Sequence, residues 1–173
     1  PAARNALWHL ASRATLLSVG LASKGFLSAA VRSRVYGLES LVQLLCDVRR
    51  TRPVITVANH ASSLDDPLLW GYLPTAMLAR PTHVRWSLGA KEVCHKNAIL
   101  DQFFQLGKTL PVVRGDGIYQ PAINFALDRL NDGEWIHVFP EARINQAPDM
   151  IRFKWGVARL IMECKQLPIV IPL

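Results

Sequence analysis

From residue 53 onward the chain repeats one rhythm, a short apolar run of strand length followed by a longer pattern with helical spacing, and few folds satisfy it. The run Val-Ile-Thr-Val-Ala at 54–58 is β-branched and suits a strand buried on both faces. Further strands are predicted at 83–88, 109–113, 135–139 and 168–171. Helices are predicted from Asp65-Asp66-Pro67 to Tyr72, over 90–106 closed by Gly107, over 119–130 with Gly133 at its exit, and over 153–165. The alternation predicts an α/β domain with a largely parallel central sheet, helices on its faces and function at the strand ends.

A chain of 173 residues that is 50% hydrophobic makes one domain with a real core and excludes a disordered or disulfide-dense class. The thiols of Cys46, Cys94 and Cys164 are too scattered for a zinc knuckle, a redox pair or a disulfide framework. No mutual ligand spacing links His9, His83, His95 and His137, so no metal is expected. Trp135, Phe139, Phe153 and Trp155 are expected in the core. Arg152, Lys154 and Arg159 read as a solvated helix face, with a patch for lipid phosphates as the alternative.

Charge is uneven along the chain. The first 52 residues carry Arg4, Arg13, Lys24, Arg32, Arg34, Arg49, Arg50 and Arg52 against only Glu39 and Asp47, whereas the remainder is nearly neutral. Within this basic stretch Leu10, Ala14, Leu17 and Leu21 follow helical 4-3-4 spacing, and Arg13 and Lys24 share another face. A segment over 1–38 lying in a membrane interface, basic groups toward anionic headgroups, is the expectation. A helix packed on the body, a spanning helix with a snorkelling Lys24 and a transit peptide are the alternatives. Nucleic acid is not expected, since no aromatic residues interleave the basic ones.

Three polar clusters fall at strand ends. In Asn59-His60-Ala61-Ser62-Ser63-Leu64-Asp65-Asp66-Pro67, a loop folding back from the helix start would bring Asp65 to His60 and suit the imidazole as a general base. With no Gly-x-Ser-x-Gly nucleophile, the proton would come from a substrate hydroxyl. On spacing alone the plainer reading, a loop histidine and a helix cap, is preferred. Around Phe139-Pro140-Glu141-Ala142-Arg143, Arg143 offers a guanidinium for phosphate and Glu141 an acceptor for a polyol hydroxyl, against the plainer reading of a surface turn with an ion pair. Arg114 precedes Gly115-Asp116-Gly117, a weak phosphate-loop signal. Convergence of the three into one site is the reason to expect catalysis.

With these boxes in this order, the sequence resembles the glycerolipid acyltransferase superfamily, and within it the phospholipid–lysophospholipid transacylases that remodel cardiolipin. The stretches 59–67, 115–120 and Arg152-Phe153-Lys154-Trp155-Gly156 carry the likeness. The resemblance implies a glycerol-3-phosphate acyltransferase-like fold, a membrane-associating segment over 1–38 and an acyltransferase domain over 39–173. It makes His60 the catalytic base, Asp65 its charge partner and Asp66 the helix cap. Arg114, Glu141 and Arg143 become the groups that hold glycerol-phosphate. It implies acyl exchange between phospholipid and lysophospholipid, cardiolipin and monolysocardiolipin among them, without coenzyme A or another cofactor. Backbone amides at the His60 turn are candidate oxyanion donors. The expected setting is a mitochondrial membrane, monotopic and facing the intermembrane space, with an oligomer left open. Ala142 stands where the family has glycine, and family members continue past Leu173, so the chain is expected to be truncated. Rival readings are an acyl-CoA-dependent acyltransferase, a non-catalytic lipid-binding protein and a soluble hydrolase.

Overall fold

A computed structural model describes residues 6–173; Arg4 and the rest of the first five residues of the expected 1–38 segment lie outside the described residues. Among the described residues, β1 (Val54–Val57), β2 (Trp86–Ala90), β3 (Thr109–Val112), β4 (Trp135–Val138) and β5 (Ile169–Pro172) form one parallel sheet in the order β3-β2-β4-β1-β5. All five strands fall where the apolar runs predict. The second starts later than expected because Pro81, with its fixed φ, opens a single 3₁₀ turn over Pro81–His83.

Side chains alternate between the two faces of each strand, and the two faces differ in chemistry. On one, Ile55, Trp86, Leu110, Ile136 and Val138 pack with Ala122, Ile123, Ala126 and Leu130 of α7 (Pro121–Asn131) and Leu160 of α8 (Trp155–Met162). On the other, Val54 and Trp135 meet Leu16 of α1 (Ala6–Ala30), Leu45 of α2 (Leu38–Cys46), Trp70 of α3 (Asp65–Tyr72) and Met77 and Leu78 of α4 (Thr75–Leu78).

Small and polar residues bring α1 onto this second face. Ser12, Leu16, Gly20, Ser23 and Leu27 form its buried stripe. Ser12 Oγ donates to Leu106 O at 2.7 Å and Ser23 Oγ to Pro67 O at 2.9 Å. Approach is close enough that a Cβ on Gly71 would sit 2.8 Å from the Ser23 backbone carbon, so only glycine fits there. The stripe leaves Leu7, Leu10 and Leu21 exposed on the outer side, with Arg13 at the boundary. No helix among the described residues is long and apolar enough to cross a membrane.

Two helix expectations change. The stretch 90–106 is two helices, α5 (Lys91–Cys94) and α6 (Ala98–Leu106), because the Asn97 side chain accepts from Leu100 N at 2.9 Å and starts a new helix. Gly107 closes α6 without the left-handed backbone; Lys108 adopts it instead, at φ 62°. Hydrogen bonds from the buried Lys108 Nζ to Pro81 O, Val84 O and Glu134 offset the ~1–2 kcal/mol of that conformation.

Candidate active site

Strand β1 ends at Val57, and three residues later His60 stands at the C-terminal edge of the sheet. The chain then doubles back, so that Asp65 Oδ2, at the start of α3, accepts from Ala61 N at 2.7 Å and Ser62 N at 2.8 Å and lies 3.1 Å from His60 Nδ1. One carboxylate oxygen thus fixes both the turn and the ring. A carboxylate at Nδ1 favours the tautomer with its proton there and leaves Nε2 as the base. The same geometry engages the Ala61 and Ser62 amides with Asp65, which removes them as the expected oxyanion donors. The plain face of Phe139, just after β4, lies under the imidazole at a centroid distance of 4.1 Å.

Beneath this turn runs a feature that no motif announced. In register across four strands, Thr109, Ser87, His137 and Thr56 form a buried polar row. Trp135 Nε1, a donor only, donates to Thr56 Oγ1 at 2.8 Å, and the Thr56 hydroxyl shares a second hydrogen bond with His137 Nδ1, also at 2.8 Å. Burial, reinforced by the charge of Arg85, pushes His137 down to about 3 and keeps it neutral. Its ring meets Phe139 edge-on at 4.6 Å. The support under His60 is therefore rigid and uncharged.

Asp66 is not the helix cap. Its carboxylate takes Arg85 through Nη2 and, at 3.2 Å, through Nε, and it accepts from Ser87 Oγ at 3.3 Å. The Asp66 carbonyl also accepts from Arg85 Nη2. Arg85 is 1% exposed and lies 4.8 Å from the centroid of Trp70. Burial alone would raise the Asp66 carboxyl, but the guanidinium outweighs it and the net displacement is downward. The residue next to Asp65 is thus bolted to the sheet.

The third cluster meets the first because β4 neighbours β1. Asn145 N donates to His60 O at 2.7 Å and Gln146 Nε2 to Ala61 O at 3.1 Å. Glu141 is only 1% exposed, and its Oε2 accepts from Asn145 Nδ2 at 2.7 Å and, at 3.5 Å, from Ile151 N. It holds the loop that follows, whereas Arg143 is exposed beside it. Ala142 takes a left-handed backbone, φ 57°, which a glycine would adopt without strain. Ala142→Gly should remove the ~1–2 kcal/mol left-handed penalty against ~0.5–1 kcal/mol of glycine entropy, for a net gain of about 0.5–1 kcal/mol. A thermal melt should rise by about 2 °C; a fall would show that the methyl makes contacts worth more than its strain.

Arg114 does not join this group. It follows edge strand β3, with β2 between β3 and β4, so at ~4.8 Å per strand its backbone lies ~14 Å along the sheet from the end of β1. Its side chain pairs with Glu92 at 3.0 Å. Two clusters converge and the third stands apart on the same edge.

A histidine held by a carboxylate on one nitrogen, at the open end of a parallel α/β sheet, suits an enzyme that takes a proton from a substrate hydroxyl. The chain belongs to the acyltransferase family, whose model matches residues 32–173. It is similar to tafazzin of Drosophila melanogaster, 42% identical over 96% of this chain and 44% of that protein, and to taffazin of Dictyostelium discoideum, 48% identical over 79% of this chain and 48% of that protein. It is also similar to N-acylphosphatidylethanolamine synthase of Arabidopsis thaliana, 39% identical over 91% of this chain and 56% of that protein. The chain therefore spans about half the length of these relatives. Among solved structures it is similar to the 1-acyl-sn-glycerophosphate acyltransferase PlsC of Thermotoga maritima, with TM-score 0.48 and 17% identity over 90% of this chain and 70% of that one.

Proposed function

We propose that this chain carries the catalytic domain of a coenzyme A-independent phospholipid–lysophospholipid transacylase that remodels cardiolipin. The observation that supports this most is the Asp65-held His60 at the sheet mouth in a chain of the acyltransferase family with tafazzin-like sequence. His60 Nε2 removes the proton from a lysophospholipid hydroxyl, and that oxygen attacks the acyl ester carbonyl of a second phospholipid. Asp65 stabilises the imidazolium, which then protonates the departing lysophospholipid oxygen. One ester C–O bond forms and one breaks, so the exchange is nearly energy-neutral and needs no activated donor.

Arg143 beside the mouth is suited to one phosphate and Arg114, farther along the same edge, to another. Glu141 contributes by shaping the loop next to His60. The exposed leucines of α1 with Arg13 and Lys24 support an interfacial, monotopic attachment to anionic lipid. By resemblance the membrane is mitochondrial and the face is the intermembrane space.

The test is to incubate the protein with isotope-labelled phosphatidylcholine and monolysocardiolipin in liposomes without coenzyme A, beside His60→Ala, and to follow label by mass spectrometry. Labelled cardiolipin formed only by the intact protein is expected. Transfer that requires acyl-CoA, or release of free fatty acid alone, would overturn the proposal. Phosphatidylethanolamine belongs in the same liposomes, because the name of the Arabidopsis relative denotes acylation of an amine. Label on that nitrogen instead of on cardiolipin would replace this reading with N-acyl transfer.

A further inference from the structure

The loop after Glu141 departs most from its sequence expectation. Phe153 and Trp155 are expected in the core, yet they are 51% and 65% exposed, and Met150 is 64% exposed. The core side of α8 is carried by Val157, Leu160 and Ile161, and Trp155 falls off that side. Looseness does not explain the exposure. The loop is tied down by Asn145 N to His60 O, Ile151 N to Glu141 Oε2 and Lys154 N to Pro140 O. An ordered loop bordering the site therefore presents three large apolar side chains within six residues. Exposed apolar surface of this kind marks an interaction site.

We infer that this loop is a membrane-docking lip, seated on a bilayer that contains anionic phospholipid and placing the His60 mouth against the lipid surface. Its charge identifies the occupant. Arg143, Arg152 and Lys154 are exposed and have no ion-pair partner among the described residues, against the single acid Asp149 in the loop. Aromatic rings and methionine flanked by cations match the boundary between acyl chains and anionic headgroups. The lip is separate from the outer leucines of α1 and rests on the reading of the substrates as phospholipids.

The experiment uses the full protein with vesicles of brominated phosphatidylcholine and a minority of phosphatidylglycerol. Trp70, Trp86 and Trp135 are buried and Trp8 partly so, and the difference between wild-type and Trp155→Phe emission, taken at equal bound fractions, isolates Trp155 from all four. Trp155 should be accessible to acrylamide without lipid, and it should be shielded from acrylamide and quenched by bromine with lipid. Arg152→Gln/Lys154→Gln should weaken vesicle binding by about tenfold or more, and raised salt should narrow that gap. Trp155 already inaccessible without lipid would mean that another segment of the protein covers the lip, and would overturn the inference. So would a Trp155 that bromine does not quench, or a double variant that binds as wild type. Binding requires no turnover, so an inactive protein that still passes these measurements would sink the transacylase reading and leave the lip in place.

Discussion

Asp66→Asn is expected to destabilise the fold by about 3–5 kcal/mol, because it leaves the Arg85 guanidinium buried with its charge uncompensated. In a chain of this size that corresponds to a fall in Tm of about 10 °C. Arg85→Met/Asp66→Leu, which removes both charges and keeps volume, should recover most of the loss, since a buried pair replaced by apolar side chains is often neutral. Because the Asp66 carboxyl is held below its usual value of 3.8 in the fold, its contribution is present at neutral pH and is lost as pH falls below about 4. Urea titrations of the two variants at pH 7 decide the matter. A loss under about 1 kcal/mol for Asp66→Asn would mean that water reaches Arg85 and that the pair does not anchor α3.

The anchor lay outside what sequence reading could find, and the reason is physical. Strands of a parallel sheet are buried on both faces and read as continuous apolar runs, so Val54–Val57 and Trp135–Val138 stand out from their neighbours. A single Thr56, Ser87 or His137 inside such a run looks like an accident of composition. Only the register, Thr56 with His137 and His137 with Ser87, shows that they form one row. Arg85 and Asp66 are 19 positions apart, with no motif to join them. For the row itself the one shared signal is a polar residue at the third position of two four-residue runs, Thr56 in Val54–Val57 and His137 in Trp135–Val138.

The candidate site was legible in proportion to how local it is. His60 and Asp65 meet because one short turn folds back, a geometry that the five-residue spacing allows. Joining the first and third clusters requires knowing that β1 and β4 are neighbours, and strand order is not written in any one segment. The distance of Arg114 from His60 is set the same way, because β2 lies between β3 and β4. Trp155 was misplaced for a different reason: an aromatic residue at a helix start belongs to the core only if its helical phase matches Val157 and Leu160, and it does not.

The largest functional effect is expected at His60. His60→Ala should lower the rate of acyl transfer by about 10²–10⁴-fold, the range of a positioned general base, without a comparable loss of stability. His60 is partly exposed, and its ring is held by one carboxylate and one stacking contact. Asp65→Asn separates the roles of the carboxylate. Because the one oxygen Oδ2 takes Ala61 N, Ser62 N and His60 Nδ1, an amide oxygen in its place keeps the turn and the ring tautomer, and only the negative charge beside the imidazole is lost. The imidazolium formed when Nε2 takes the substrate proton then lacks its counter-charge. The variant should therefore bind lysophospholipid as wild type does, with KM within about twofold, and lose about 10²-fold in kcat, no more than His60→Ala loses, because the charge acts only through His60. Single-turnover transfer measured from labelled phosphatidylcholine gives both numbers. A variant with wild-type kcat would show that the Asp65 charge contributes nothing to the reaction and reduce Asp65 to a turn former.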